Sequence, residues 1–192
     1  MNKSQRRVIF VWELGNDLGH FTTLMPVMSA LLAHGHRVSF ITRNVEEAGQ
    51  VGLDERIALI QAPIWHRRGR AQRITWTQAD ILLDMGYDNA EGLAATVGAW
   101  RHLYALLQPD MVIYNYAPTA MLAWRHHAVP KVLLGNAFYS PAPAWPSVNL
   151  CYWLEGHTPD IEGIDARFMA SIKSGVADTG RAGLHHPSDI FV

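Results

Sequence analysis

Residues 8–35 read VIFVWELGNDLGHFTTLMPVMSALLAHG. Residues 8–12 are an unbroken apolar run. A polar loop follows, with Gly15, Asn16, Asp17, Gly19 and His20. Behind it Leu24, Val27, Met28, Leu31 and Leu32 recur at helical spacing. The stretch reads as strand, glycine loop, helix. Ligands of open α/β sheets bind beyond the carboxyl ends of the strands, so His20 stands where chemistry is usually done.

The loop is neither of the two standard nucleotide fingerprints. It lacks G-x-G-x-x-G, and it lacks the lysine of the P-loop. Gly15 and Gly19 permit positive φ and a close backbone approach. Pro26 is tolerated in a helix only near the first turn. The helix is therefore expected to begin near Thr22 or Thr23, leaving His20 in the loop. Two roles stay open for His20, a chemical group at the mouth of the sheet or a packing and capping residue.

The rest of the chain alternates strand and helix. Strands are expected at residues 38–42, 57–62, 111–114 and 131–134. A short helix is expected at 45–51. Asp88 with Glu91 suits a capping box. It precedes a helix whose face is Leu93, Val97, Trp100, Tyr104 and Leu107, ended by Pro109. Pro118 suits the first turn of a helix running to about His127. Such alternation predicts an α/β fold with a Rossmann-like, doubly wound parallel sheet. The strands at Val8 and Met111 lack polar alternation and are expected at its centre. The last strand leads into a proline-stiffened loop, residues 135–149, with Gly135, Phe138, Tyr139 and Trp145. Such a loop suits a hydrophobic or sugar-like ligand or a packed connection. A helix from Thr158–Pro159 carries Ile161, Ile164, Phe168 and Ile172 on one face, with Gly175 near its end. Residues 189–192 read as the start of another strand.

Composition excludes several classes. The 192 residues are 49% apolar and 17% charged, which argues for a folded globular chain. A net charge of −1 gives no strong pull toward nucleic acid or anionic membrane. Arg67, Arg68, Arg70 and Arg73 lie between Trp65 and Trp76, a pattern that can bind phosphate or a nucleic-acid strand. It reads more simply as a surface loop with solvated charge. The single cysteine, Cys151, excludes an internal disulfide and a cysteine zinc cluster, and a cytoplasmic location is expected. No transmembrane segment is expected. His34 and His36 resemble a metal fork, but with Gly35 between them they read as a helix end and a strand start.

E-L-G-x-x-x-G-H, a proline six residues after the histidine, and a helix ending A-H-G-H-R-V-S-F together resemble the amino-terminal end of a GT-B glycosyltransferase. The likeness is to bacterial relatives of the UDP-glycosyltransferases. A second segment supports it, P-D-M-V-I-Y-N-Y-A-P-T-A followed by V-P-K-V-L-L-G-N-A-F. The family pattern there is P-D-x-V-x-x-D-x-A-P-T-A and V-P-x-V-x-x-G-x-x-F. The resemblance covers roughly residues 6–145 well.

It implies that residues 1–192 are an acceptor-binding domain of a GT-B enzyme, with the donor-binding domain absent. It implies a nucleotide sugar, a UDP-sugar, as donor substrate, a small-molecule acceptor, no cofactor and no metal. His20 would be the general base, and Gly15, Gly19, Gly135, Phe138 and Tyr139 would line the acceptor site. The family's aspartate beyond the fourth strand corresponds to Asn115. Asparagine can orient an imidazole but supplies no charge, and Asp17 is the substitute within reach in sequence. The chain alone is then expected to lack transferase activity. One alternative is a non-catalytic binding module or one subunit of a split transferase. Another is a nucleotide-binding oxidoreductase, against which the missing G-x-G-x-x-G argues.

Overall fold

The computed structural model describes residues 5–16, 19–65, 73–176 and 184–191. Asp17, Arg67, Arg68 and Arg70 fall outside the described residues. The chain forms two compact units, Met1–Ile64 with Ala99–Ser140, and Trp65–Gly98 with Pro141–Val192.

The first unit holds a five-stranded parallel sheet. Its strands are β1 (Arg7–Trp12), β2 (Arg37–Thr42), β3 (Ala58–Gln61), β4 (Met111–Asn115) and β5 (Lys131–Leu133), in the order β3-β2-β1-β4-β5. The apolar run of β1 is buried from Val8 to Trp12, as a central strand covered on both faces requires. Its register sets Trp12 beside both Thr42 and Asn115, so the carboxyl ends of β1, β2 and β4 come together.

Helix α1 (Gly19–Ala33) buries Phe21, Leu24, Met28 and Leu32 against Phe10, Trp12, Val38 and Phe40. Each such side chain contributes roughly 1.5–3 kcal/mol on leaving water. The helix starts at Gly19, earlier than the sequence reading placed it, so His20 lies in its first turn and not in the loop. Pro26 sits inside the helix without ending it. Tertiary burial of the flanking Leu24 and Met28 outweighs the lost hydrogen bond. The helix ends in a Schellman arrangement, with Gly35 N–H donating to Leu32 O and His36 N–H to Leu31 O. Gly35 supplies the positive φ of 80° this requires.

Asn44 caps α2 (Val45–Gln50) by accepting from Glu46 N and Glu47 N. On the helix α4 (Ala90–Leu107), the cap is Asn89 rather than Asp88, since Asn89 Oδ1 accepts from Gly92 N at 3.1 Å. Helix α5 (Pro118–Trp124) stops three residues short of His127.

The second unit is helical. It contains α3 (Gln78–Leu82), a π-turn at Leu83–Tyr87, the first half of α4, and α6 (Ile161–Gly175). The sequence reading missed α3 and the turn. Gly86, at φ 124°, lets the Trp65 ring lie against the backbone. Tyr87 stacks on Trp65 and on Phe168 of α6, at 5.9 and 5.7 Å. α6 is capped by Asp160, which accepts from Gly163 N. The expected terminal strand is a 3₁₀ helix instead, Pro187–Phe191. The Asp189 carboxylate accepts from the N–H groups of His185 and His186, which curls the chain into a turn and prevents extension.

Candidate functional site

Four side chains from separate segments of the first unit converge beyond the carboxyl ends of β1 and β4. They are Trp12, His20, Asn115 and Tyr139. Trp12 ends β1, and its indole N–H donates to Leu14 O at 2.6 Å. Its ring stacks under the His20 imidazole at 4.8 Å and 23°. His20 is only 2% exposed. Gly15 has φ 89°, and a Cβ there would collide with His20 Nε2. Glycine at this position is therefore required twice, for backbone conformation and for space. Arg43 holds the same loop by donating to Gly15 O at 2.7 Å.

His20 Nδ1 is hydrogen-bonded to Asn115 Oδ1. Asn115 is fully buried, and its Nδ2 donates to Leu134 O at 2.7 Å. That second bond fixes the amide's orientation and leaves Oδ1 toward the ring. Oδ1 can only accept, so Nδ1 must carry the imidazole proton. The neutral ring then presents its lone pair at Nε2. The Tyr139 hydroxyl lies 3.4 Å from that nitrogen, and its ring tilts over the imidazole at 4.9 Å. The site thus holds a base-ready tautomer facing a hydroxyl.

Of the residues expected to line the site, Gly135 lies under Tyr139, where a Cβ would be 2.7 Å from Cδ2. Phe138 packs edge-on against Tyr116 at 5.7 Å and is 41% exposed. Gly19 shows no such constraint, since a Cβ there meets nothing within 4 Å. Its carbonyl accepts instead from the hydroxyls of Thr22 and Thr23. Neither His34 nor His36 forms a fork. His34 Nδ1 meets Ala30 O at 2.7 Å, while His36 Nδ1 accepts from Arg6 N at 3.3 Å.

Two buried residues beside these side chains were not singled out by the sequence reading, Tyr116 and Glu13. Tyr116 is buried and left-handed at φ 47°, rare for a bulky side chain. Its ring lies tilted against that of Tyr139, with centroids 4.9 Å apart. Glu13 is 2% exposed, and its Oε2 accepts from Thr119 N at 2.9 Å and Ala120 N at 3.3 Å. Burial pushes its carboxyl up to about 7, opposed by bonds from Thr119 and Ala120 and by the Arg43 charge. A signal for Glu13 was available, since an acidic residue directly ends an apolar strand.

A groove of about 530 Å³ lies at the other ends of the strands, lined by Arg7, Ile9, Arg37, Ser39, Arg56 and Ala58. It holds none of the expected site residues.

No family model matches the chain, and no curated protein does. Solved structures do resemble it. The glycosyltransferase SsfS6 of Streptomyces sp. SF2575 is 15% identical, with a TM-score of 0.48, over 92% of this chain and 47% of its own. The glycosyltransferase SnogD of Streptomyces nogalater is 18% identical at 0.46, over 96% of this chain and 42% of its own. The C-terminal domain of a Pyrococcus furiosus hydrogenase is 13% identical at 0.41, over 70% of this chain and 94% of its own. The chain thus spans less than half the length of these two glycosyltransferases.

Proposed function

We propose that this chain is the acceptor-binding half of a GT-B glycosyltransferase, with His20 Nε2 as general base. The observation that carries the reading is the tautomer. Asn115 holds the proton on Nδ1, and Nε2 meets a hydroxyl oxygen. In the reaction, an acceptor hydroxyl would take the place of the Tyr139 hydroxyl. Its oxygen would attack the anomeric carbon of a UDP-sugar and its proton would pass to Nε2. The bond from that carbon to the diphosphate would break, releasing UDP. The donor would be held by a second domain or a partner subunit, and the setting would be cytoplasmic. Asn115 orients the ring, and its neutral amide supplies no charge to offset the imidazolium.

The buried state of His20 favours a second reading, an acceptor-binding module without catalysis. Catalysis requires Tyr139 to swing aside, whereas binding at the loop surface does not. The test is to join the chain to a donor-binding domain and follow UDP release from UDP-glucose with 4-methylumbelliferone as acceptor. His20→Ala is expected to lower the rate by about 10²–10⁴-fold, with much less change in acceptor KM. A His20→Ala enzyme at near-full rate would leave the binding module as the better reading.

A further inference from the structure

We infer that Glu13 is a positioning residue for His20: its carboxylate fixes the β4–α5 turn that carries Asn115 and Tyr116, and so sets the tautomer and the cover of the imidazole. This rests on His20 being the base proposed above.

The turn has no cap of its own. Ala117 precedes α5 and offers no side-chain acceptor, so the first N–H groups of the helix need one from elsewhere. Glu13 supplies it from the position just past β1, reaching Thr119 N and Ala120 N with one oxygen. The next residue, Leu14, donates its N–H to Tyr116 O at 3.0 Å. Two consecutive residues therefore grip the chain on both sides of Ala117. Between and beside these grips lie Tyr116, with its left-handed backbone, and Asn115, with its bond to His20. A left-handed tyrosine persists only where surrounding contacts hold it. If Tyr116 relaxed toward ordinary φ, its ring would leave Tyr139, and the peptide that aims Asn115 Oδ1 would turn. Glu13, Asn115 and Thr119 are all buried, so water cannot replace the lost bonds.

The clamp also changes charge near neutrality. Glu13 Oε1 has no hydrogen-bond partner among the described residues, which leaves it open to a proton. The groups acting on the carboxyl are the Arg43 guanidinium, just past β2, and the Thr119 hydroxyl and the Thr119 and Ala120 N–H groups from α5, while the carboxyl in turn raises the pKa of the Tyr104 phenol on α4. Burial outweighs the charge-stabilising groups among these and brings the carboxyl to about 7. A neutral carboxyl accepts more weakly from N–H than a carboxylate does, so the grip on α5 slackens as pH falls through that value.

The test uses the full chain with ¹⁵N-labelled histidine and backbone amides. Long-range ¹H–¹⁵N spectra read which ring nitrogen of His20 is protonated. Wild type and Glu13→Gln, which keeps an accepting oxygen, are expected to hold the Nδ1–H form. Glu13→Ala is expected to raise the Nε2–H form at least several-fold. A folded Glu13→Ala protein with the wild-type tautomer overturns the inference. Should Glu13→Ala fail to fold, the pH series of Glu13→Gln decides. In wild type the Thr119 and Ala120 amides and the His20 ring signals should share a step near pH 7 that Glu13→Gln lacks. Ring signals identical in the two proteins across the series overturn the inference. No sugar transfer is measured, so the two readings fail separately. An unaltered His20→Ala rate removes the base and leaves the clamp, and an unaltered tautomer removes the clamp and leaves the base.

Discussion

Asp80 in the helical unit and Glu13 in the sheet unit are both buried carboxylates, 1% and 2% exposed. Their surroundings differ in kind. Asp80 is met by the Arg73 guanidinium at 2.6 and 3.0 Å, by Trp76 N at 3.0 Å, and shares that arginine with Asp84. The pairing raises the already high pKa of Arg73. Among the described residues Glu13 meets only N–H and hydroxyl donors, with Arg43 acting through its field. The first is a brace that ties a loop to a helix. The second is a carboxyl beside the site that burial brings to about 7, and so able to hold or lose a proton near neutral pH.

The largest effect is expected from breaking the brace. Arg73→Ala leaves Asp80 buried and unpaired, which should cost about 3–5 kcal/mol. Urea unfolding followed by tryptophan fluorescence reads it. A loss of unfolding free energy less than a third of that would place Asp80 with Glu13, as a buried carboxylate the fold carries without an arginine clamp.

Glu13 should show itself through pH. Its carboxyl lies near 7 in the fold and 4.5 in the unfolded chain. A raised value means the folded state binds the proton more tightly. That stabilisation is complete below pH 4.5 and is lost as pH rises through 7, by about 3 kcal/mol in all. Glu13→Gln should flatten the stability profile between pH 5 and 8. A wild-type profile already flat over that window would mean the carboxyl is not shifted.

Asn115→Asp separates the two kinds of polar burial at the site itself. By resemblance, an aspartate there would complete a His–Asp dyad. The structure gives a reason against a simple gain. Asn115 bridges His20 and Leu134 O, and an aspartate would face that carbonyl with a second acceptor. The lost donor and the oxygen–oxygen contact should cost about 1–3 kcal/mol of stability. Equal thermal stability of the two proteins would show that the strand-five carbonyl can turn away.

What the sequence disclosed follows from what a sequence can encode locally. The order of strands and helices in the sheet unit, and the meeting of His20, Asn115 and the Gly135 loop, followed from apolar periodicity and the rule that parallel strands share a carboxyl edge. Helix α1 began early because the burial of His20 and Phe21 outweighs the local preference set by Pro26. The Asn89 cap and the Tyr116 backbone were hidden for one reason. Each depends on a hydrogen bond or dihedral angle that residue identity alone does not specify. Glu13 reaches its partners across more than a hundred residues, and only the register of β1 against β4 makes that reach short.

The smallest effect concerns the cover of the site. The Tyr139 hydroxyl lies 3.4 Å from His20 Nε2, at the place an acceptor hydroxyl would need. A long hydrogen bond of this kind contributes at most about 0.5–1.5 kcal/mol net. Tyr139→Phe removes the hydroxyl and keeps the ring against His20 and Tyr116. An acceptor hydroxyl then no longer competes for Nε2, and binding should tighten by about 2–10-fold. The comparison that isolates the effect is 4-methylumbelliferone against its methyl ether, titrated into both proteins. The phenol gains on Tyr139→Phe and the ether does not, because the ether has no proton to offer Nε2. A gain shared by both ligands would mean the substitution loosened the loop, with the ring and not the hydroxyl guarding the site. No gain for either would put the acceptor hydroxyl somewhere other than His20 Nε2.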